Sequence, residues 1–419
     1  MKKRNKKNYK NLLIVVILLL PVIIATMIIF NLKNKDSVVS IKDVTKEINE
    51  HYNEFVKTNK ETFLYNDKEE VGKIGNNVEL TLNDIQINKD TKYFPIKNLE
   101  GYYIKYQDVD KIDSLSKVDD RYKYYIAFNE NVVTNDNTSF YDENNNLIYS
   151  FNKSFDLPII IKDEDRYGIE YNSRLLYVKK DDVKEVKNSN NTDEKNSTGI
   201  PVLNYHFAYE DDDTSCNEEI CHSATQLKEH FSYIKDNNFF TPKMKELEMY
   251  IDKKIQLPQK SVVITFDDGG RAEVARKYVD EYKINATLFL ITSWFNKDSF
   301  ESEYFEVHSH GDDIHNGGLC PGGQGGEIKC MDHDKLLADL KLSREKLGGS
   351  TVFCYPFYEY NDYSIRVLKE AGFTMAFAGE YAGGNIKVVP GIDKFRLPRW
   401  IIVDYTTKSK FISYVNGGS

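Results

Sequence analysis

Two kinds of hydrophobic pattern alternate along the second half of the chain. Short apolar runs rich in β-branched residues, such as Ser261–Phe266 and Ala286–Ile291, are typical of strands covered on both faces. Longer segments, such as Ser223–Ile234, carry apolar residues at helical spacing after a Ser or Thr start. The same criteria predict helices over Ala272–Tyr282, His333–Lys346 and Ser364–Ala371, and strands over Thr351–Phe353 and Thr374–Ala378. This alternation predicts an α/β domain with a parallel sheet over residues 200–419.

The first residues have a different pattern, in which a basic tail precedes a long apolar run. Met1–Lys10 contains six Lys or Arg residues, and Leu12–Asn31 is almost wholly apolar. A run of this length spans a bilayer, and its positive flank stays in the cytoplasm. Pro21 and the lack of an A-x-A-like site argue against a cleaved signal peptide. The pattern predicts a cytoplasmic tail over 1–11, a transmembrane helix over 12–31 and a stalk over 32–55, hence a single-pass cell-membrane protein with extracellular C-terminal domains.

Between the apolar run and the α/β domain, short strand-like runs are separated by polar turns. Tyr103–Val109 and Tyr177–Val183 share the pattern Y-[IV]-K-x-x-D-V, which indicates a duplicated small β unit. This pattern resembles the closing strands of bacterial Src-homology-3-type modules, which often bind cell wall; a plain spacer is the alternative. We therefore expect small all-β modules over 56–115 and 116–187, followed by a polar linker over 188–199.

Composition narrows the range of partners. The net charge of −9 disfavours nucleic acid, because binding to a phosphate backbone relies on Lys and Arg. A weakly anionic chain is compatible with a neutral glycan. The abundance of Lys, Asn and Ile is typical of a low-GC, Gram-positive bacterium.

The five cysteines fit an oxidising compartment. Their spacing favours two local disulfides, Cys216–Cys221 and Cys320–Cys330, and leaves Cys354 free and buried. The alternative is a second metal site built from Cys320, Cys330 and His333, although this spacing matches no common zinc motif.

The candidate chemistry begins where the first buried strand ends. Asp267 and Asp268 follow Phe266 directly and precede a Gly-Gly turn. Buried carboxylates need a cation or a hydrogen-bond network, and a helix-capping role explains one Asp better than two. Some forty residues downstream, Glu306–His315 holds three of the chain's eight histidines. One carboxylate and two imidazoles leave a zinc ion an open position for water, as in hydrolytic sites.

These motifs resemble those of the NodB-type polysaccharide deacetylases, carbohydrate esterase family 4. The family's T-F-D-D-G motif implies that Asp267 is the general base and Asp268 a metal ligand. His310 and His315 correspond to the two histidine ligands of Zn²⁺, although Co²⁺, Ni²⁺ or Fe²⁺ could fill the same set. Their H-x-x-x-x-H spacing resembles the branch that deacetylates poly-β-1,6-N-acetylglucosamine. The fold that the resemblance implies is a distorted (β/α) barrel.

Two departures from the common family pattern point to the permuted branch of the family. The C-terminal L-x-L-x-H motif is absent, but Ile200–His206 resembles the P-V-L-x-Y-H strand of permuted members, which implies that His206 is the catalytic acid. A strand-end histidine without a role is the alternative. The third motif, usually R-x-P-Y-G, reads Cys354–Tyr358 and lacks the arginine that orients the base. Arg399 could reach Asp267 instead; a surface salt bridge is the alternative.

The resemblance also implies contacts to substrate. The backbone N–H of Phe357 corresponds to an oxyanion donor. Tyr355, Tyr358 and Trp400 could form a sugar-stacking wall, although aromatic residues near strand ends are often part of the core.

The function implied is N-deacetylation of a cell-surface N-acetylglucosamine polymer, with poly-N-acetylglucosamine favoured by His206 and the histidine spacing. Peptidoglycan is the alternative substrate, favoured by the wall-module resemblance. A catalytically inactive wall-binding protein is a further alternative, but such a scaffold would have no need for an intact metal site.

Overall fold

The computed structural model describes residues 41–317, 320–321 and 326–418. The α-helices are α1 (Ile41–His51), α2 (Ala224–Asp236), α3 (Met244–Ile251), α4 (Ala272–Tyr282), α5 (His333–Lys346), α6 (Asp362–Ala371) and α7 (Lys408–Val415). The strands before residue 189 are β1 (Phe55–Thr58), β2 (Thr62–Asn66), β3 (Glu69–Ile74), β4 (Glu79–Thr81), β5 (Tyr93–Pro95), β6 (Tyr103–Lys105), β7 (Val109–Lys111), β8 (Glu130–Thr134), β9 (Thr138–Tyr141), β10 (Leu147–Phe151), β11 (Asp156–Pro158), β12 (Ile161–Lys162), β13 (Arg166–Tyr171), β14 (Arg174–Lys179) and β15 (Val183–Asn188). The later strands are β16 (Val202–Tyr205), β17 (Phe207–Tyr209), β18 (Cys221–Ser223), β19 (Val263–Asp268), β20 (Ala286–Leu290), β21 (Phe305–Ser309), β22 (Val352–Cys354), β23 (Met375–Phe377) and β24 (Trp400–Ile401).

The predicted fold class and location need one correction. Among the residues that the structure describes, no helix is long and apolar enough to cross a membrane. Even α5 has only 14 residues, whereas a spanning helix needs about 20 consecutive apolar ones. The predicted segment 12–31 lies outside the described residues. We therefore correct the fold class by removing the transmembrane helix from it, and with it the single-pass membrane location.

One compact unit comprises the described residues up to Lys117 together with Asn146–Asn152. Strand β1 pairs with β4 and β7, and β2 lies between β3 and β6; all of these pairs are antiparallel. Strand β10 pairs with β3, and β5 pairs with β6. Alternating buried positions, such as those of β1, explain why these short runs form strands with one covered face. The likeness to Src-homology-3 modules stays a prediction.

The second compact unit joins residues 118–145 to residues 153–419. Its β part, with β8 between β11 and β15 and the ladder β12-β13-β14-β9, shares a hydrophobic core with the α/β part. Arg121 donates two hydrogen bonds to the buried Glu246, at 2.8 and 2.5 Å, and Tyr125 donates a third at 2.9 Å. Asn196, within the predicted linker, is buried and donates its backbone N–H to Leu257 O at 2.8 Å. Removing the residues before position 200 would therefore expose the apolar core of the α/β part and leave Glu246 without Arg121, its cationic partner.

The α/β part is built on a seven-stranded parallel sheet of order β23-β22-β21-β20-β19-β16-β24. Every residue of β16, β19 and β20 is buried, which accounts for their continuous apolar sequences. The α/β class predicted from the alternation is confirmed, but the distorted (β/α) barrel is corrected to a curled half-barrel. Leu397 makes a single bridge to Phe377 of β23, and the two-residue β24 then pairs with β16. The last segment is too short to close the sheet with a full ladder.

Because the strands are parallel, their carboxyl ends lie at one edge of the sheet. His206 follows β16, Asp267 and Asp268 end β19, His310 follows β21, and Cys354 ends β22. Residues far apart in sequence therefore meet at this edge.

Two buried histidines lie beneath this edge, beside Tyr205 of β16. The Nδ1 atom of His230 is hydrogen-bonded to the Tyr205 hydroxyl at 2.9 Å, and the His230 ring stacks on that of Phe411 at 3.7 Å. The ring of His222 lies 5.0 Å from that of Tyr205. Burial lowers the pKa of His230 to about 3 and that of His222 to about 4, from 6.5. Both imidazoles are therefore neutral in the folded chain at neutral pH.

These histidines should make the unit less stable in acid. Between pH 6.5 and about 4 the unfolded chain binds protons that the folded chain does not, so the free energy of unfolding falls as the pH falls. Each such histidine contributes a slope of about 1.4 kcal/mol per pH unit. Urea unfolding between pH 7.5 and 4.5 measures it. The His230→Gln variant should show a shallower slope; equal slopes in the variant and wild type would contradict this prediction.

Candidate active site

At the deepest point of the site, Asp267 is paired with Arg399. The guanidinium of Arg399 donates two hydrogen bonds to the carboxylate, at 2.7 and 2.8 Å, and a third to Ala378 O at 2.8 Å. Both side chains are buried, with exposed fractions of 2% and 0%. Burial alone would raise the pKa of Asp267, but Arg399 offsets this effect and lowers it. Asp267 is thus held as a carboxylate.

Cys354 completes this cluster, and the sequence analysis gave it no role there. Its Sγ lies 3.0 Å from Nη2 of Arg399 and 3.5 Å from Oδ2 of Asp267. Burial raises the pKa of the thiol, so it stays neutral beside the ion pair. The sequence did contain one signal for this contact: Cys354 stands at the position where the third motif of the family that the sequence resembles has arginine.

The second acid, Asp268, faces two imidazoles. Its Oδ1 lies 3.3 Å from Nε2 of His310 and 3.2 Å from Nε2 of His315. The Nδ1 atom of His310 lies 2.9 Å from Cys354 O, which fixes the ring with Nε2 directed at Asp268. Burial would raise the pKa of Asp268, but the two imidazoles lower it. The backbone of Asp268 is left-handed, with φ of 73°, which turns this residue out of the line of the strand.

These three residues fit a metal ion. Oδ1 of Asp268 is buried and makes no hydrogen bond of ordinary geometry within the described chain. In a tetrahedral site with bonds of about 2.0–2.1 Å, neighbouring ligand atoms lie roughly 3.3 Å apart, as the carboxylate and imidazole atoms do. A second possible group, Asp267 with His310 and Cys354, is less suited, because Arg399 already occupies both oxygens of Asp267.

The loop between the two histidines is held by Asp339 of α5, another residue that the sequence analysis did not identify. Its carboxylate accepts the backbone N–H groups of Asp312 at 2.9 Å and Asp313 at 2.7 Å. Burial raises the pKa of Asp339 to about 6. Asp312 in turn accepts hydrogen bonds from Thr292 at 2.6 Å and Lys346 at 2.5 Å. The spacing of His310 and His315 is therefore fixed from outside the loop.

His206 lies beside Asp267. Its Nε2 is 4.0 Å from Oδ2 of Asp267 and 3.5 Å from the hydroxyl of Tyr358. Burial lowers the pKa of His206, and the nearby carboxylate of Asp267 only partly offsets that effect. The Tyr358 hydroxyl donates a 2.8 Å hydrogen bond to Asn204, which fixes it beside the imidazole.

A tight turn over Pro356–Tyr358 brings Phe357 to the candidate ligands. Phe357 and Tyr358 have left-handed backbones, with φ of 56° and 61°. The Phe357 ring lies 4.4 Å from the ring of His315.

Two residues of the predicted sugar-stacking wall lie in the core. Tyr355 is fully buried, stacks on Tyr360 at 5.0 Å and donates its hydroxyl to Phe395 O. Trp400 is 3% exposed and stacks on Tyr414 at 4.6 Å. The ring of Tyr358, by contrast, lies 5.5 Å from the guanidinium of Arg399.

The cysteines pair as two local disulfides, Cys216–Cys221 and Cys320–Cys330. Their sulfurs are therefore not available for the alternative metal site. His333 is directed elsewhere, at 2.9 Å from Glu370.

Part of the chain is similar to known proteins. Residues 254–376 match the family model described as polysaccharide deacetylase. This match includes Asp267, Asp268, His310 and His315 but neither His206 nor Arg399. YxkH of Bacillus subtilis (strain 168), whose name assigns it provisionally to the polysaccharide deacetylases, is 24% identical over 215 residues, which are 46% of this chain and 72% of YxkH.

Three solved structures are also similar to parts of this chain. A de-N-acetylase from Aggregatibacter actinomycetemcomitans is 22% identical, with a TM-score of 0.43, over 51% of this chain and 99% of its own. IcaB from Ammonifex degensii is 20% identical, with a TM-score of 0.43, over 52% and 97%. BC0361, a polysaccharide deacetylase from Bacillus cereus, is 18% identical, with a TM-score of 0.42, over 83% and 100%.

Metal binding should depend on the three converging ligands. We expect wild type to bind one Zn²⁺, and His315→Ala and Asp268→Ala to weaken binding by more than the roughly 10–100-fold that loss of an outer partner causes. Competition with a chromophoric chelator gives the affinity. His333→Ala, which alters an exposed histidine, is the matched control. Unchanged zinc affinity in both ligand variants would refute the assignment.

Proposed function

We propose that this chain, whose residues 254–376 match the polysaccharide deacetylase family model, is a metal-dependent N-deacetylase of an N-acetylglucosamine polymer. The observation that carries the proposal is the convergence of an ionised, arginine-bound Asp267 with the triad Asp268, His310 and His315 at one edge of the sheet. A base beside a metal-ligand set is what hydrolysis of an amide by water requires.

Asp268, His310 and His315 would hold the ion, and Zn²⁺ suits this mixed oxygen and nitrogen set. When bound, the ion supplies a Lewis acid for the acetyl carbonyl and lowers the pKa of water.

Asp267 takes a proton from the attacking water. Its pKa is kept low by Arg399, so the carboxylate is ready to accept at neutral pH. Because both guanidinium bonds restrain it, the carboxylate is also fixed in orientation. Arg399 therefore acts on the reaction through Asp267.

His206 protonates the leaving amine, which would otherwise depart as a poor anionic leaving group. Its position beside Asp267, with Nε2 4.0 Å from Oδ2 of that residue, supports this role. Burial, by lowering its pKa, makes the protonated imidazole a stronger acid. The Tyr358 hydroxyl keeps the ring in place.

The remaining contacts concern the substrate. The backbone N–H of Phe357, in the turn beside His315, is the proposed donor to the developing oxyanion. Tyr358 is the member of the predicted aromatic wall that we retain, because Tyr355 and Trp400 pack in the core.

Poly-N-acetylglucosamine is the proposed substrate, supported by the H-x-x-x-x-H spacing and by His206 at the start of the domain. Acetate release by the full-length chain plus Zn²⁺ tests this choice, with poly-β-1,6-N-acetylglucosamine oligomers and purified peptidoglycan assayed side by side. We expect release from the oligomers, lost on chelation and in Asp267→Asn. Release from peptidoglycan alone would reassign the substrate, and release from neither, with zinc bound, would favour the non-catalytic alternative.

The pH dependence of turnover tests the role of Arg399. Replacing it by Met leaves burial to act on Asp267 without a cation, so the pKa of Asp267 rises and the acidic limb of kcat/KM moves to higher pH. At neutral pH we expect a loss of about 10²–10⁴-fold, the usual contribution of a general base.

Arg399→Lys is the matched variant, since it retains the positive charge and should displace the limb less. An unpaired buried carboxylate is destabilising, so a variant of Arg399 could fail to fold. Circular dichroism identifies any variant that does. Full turnover with an unmoved limb in Arg399→Met would remove Arg399 from the mechanism.

A further inference from the structure

An exposed tryptophan lies beside the candidate metal ligands. Trp294 is 53% exposed, and its ring lies 5.7 Å from that of His315. The Phe357 ring also lies near His315, at 4.4 Å. The chain has only one other tryptophan, Trp400, which is 3% exposed. A large indole left in water next to reacting groups is the arrangement expected of a ligand contact.

The backbone beneath this indole is tied to the ligand loop. Thr292 donates its N–H to Gly311 O at 3.1 Å, and Ser293 donates its N–H and hydroxyl to Asp312 O at 3.2 and 2.5 Å. Gly311 and Asp312 lie between His310 and His315 in the sequence. The turn that presents Trp294 therefore keeps a fixed distance from the metal ligands.

The residue after Trp294 is anchored in the protein core. Phe295 packs against the hydrophobic core and contacts Phe300 at 6.0 Å. With Phe295 directed inward and Ser293 bonded to the ligand loop, Trp294 is directed to solvent by a restrained backbone. A rigid aromatic surface loses little conformational entropy when a ligand packs on it.

We infer that Trp294 forms a saccharide subsite, on which the sugar ring next to the one being deacetylated packs its apolar face. This subsite rests on the proposed function and specifies how the polymer is held. A pyranose has an apolar C–H face and a polar rim, and an indole matches it with a flat apolar face and one N–H donor. The subsite would favour a polymer over a single N-acetylglucosamine, since a monosaccharide in the reacting position leaves the indole uncovered.

The two tryptophans provide a direct measurement. Trp294 is exposed and Trp400 is buried, so the long-wavelength part of the emission reports on Trp294. Poly-β-1,6-N-acetylglucosamine oligomers are titrated into the full-length chain from which metal has been removed, so that no oligomer is hydrolysed during the titration. Calorimetry gives the affinity for the oligomers. We expect a saturable change in the long-wavelength emission. We also expect about tenfold weaker binding in Trp294→Ala and recovery to within about threefold in Trp294→Phe.

Tyr124→Ala is the matched control. Tyr124 is 57% exposed and packs on Phe240, which bridges Ser261 just before β19 and so lies at the amino-terminal end of that strand. Its loss should leave oligomer affinity unchanged. Zinc affinity, measured in Trp294→Ala, should also be unchanged, which separates loss of a sugar contact from damage to His315.

Two results would overturn the subsite. The first is oligomer binding with the same affinity in wild type and Trp294→Ala; acetate release by wild type would then still support the proposed function. The second is the absence of any oligomer binding by wild type, which together with no acetate release would also remove the proposed function.

Discussion

The buried pair of Asp267 and Arg399 is the interaction on which the site depends. Neither charge could remain in the interior alone, because losing one partner of a buried ion pair costs about 3–5 kcal/mol. The two residues are 132 positions apart. Arg399 stands between Leu397, which bridges β23, and Trp400, which begins β24 beside β16. The guanidinium therefore enters the site where the chain joins both edges of the sheet, so the curl of the sheet and the ionisation of Asp267 are linked.

The adjacent carboxylates of Asp267 and Asp268 would repel each other if both faced the same surroundings. Their environments differ because successive residues at the end of β19 are directed differently: Asp267 faces Arg399, and Asp268, whose backbone is left-handed, faces His310 and His315. Each acid has its own cationic or metal-binding partners. This separation supports a division of labour in which one carboxylate accepts protons while the other binds an ion.

The sequence was sufficient where a signal is local. Buried strands such as β19 follow from continuous apolar runs, and Asp267, Asp268, His310 and His315 lie within motifs of a few residues. Contacts between distant segments carried no local signal. Cys354 was identified as free and buried but not as a partner of Arg399, and Asp339 looked like any polar residue on a helix. Whether Tyr355 and Trp400 are buried or contact the site depends on the face of the sheet from which they project. The sequence pattern alone does not specify that face. The core that residues 118–145 and 153–187 share with the α/β part also carried no local signal, because a polar, Asn-rich stretch is typical of a linker even where Asn196 is buried.

Cys354 occupies the position of arginine in the third motif of the family that the sequence resembles. A guanidinium at that position would compete with Arg399 for Asp267, and two buried cations beside one carboxylate would be strongly unfavourable. A thiol is smaller and, because burial raises its pKa, stays neutral. Its Sγ contacts the pair of Asp267 and Arg399, while its carbonyl oxygen lies 2.9 Å from Nδ1 of His310. One residue at the end of β22 thus contacts both Asp267 and the candidate metal ligand His310. The substitution and the delivery of arginine from another segment are therefore two parts of one arrangement.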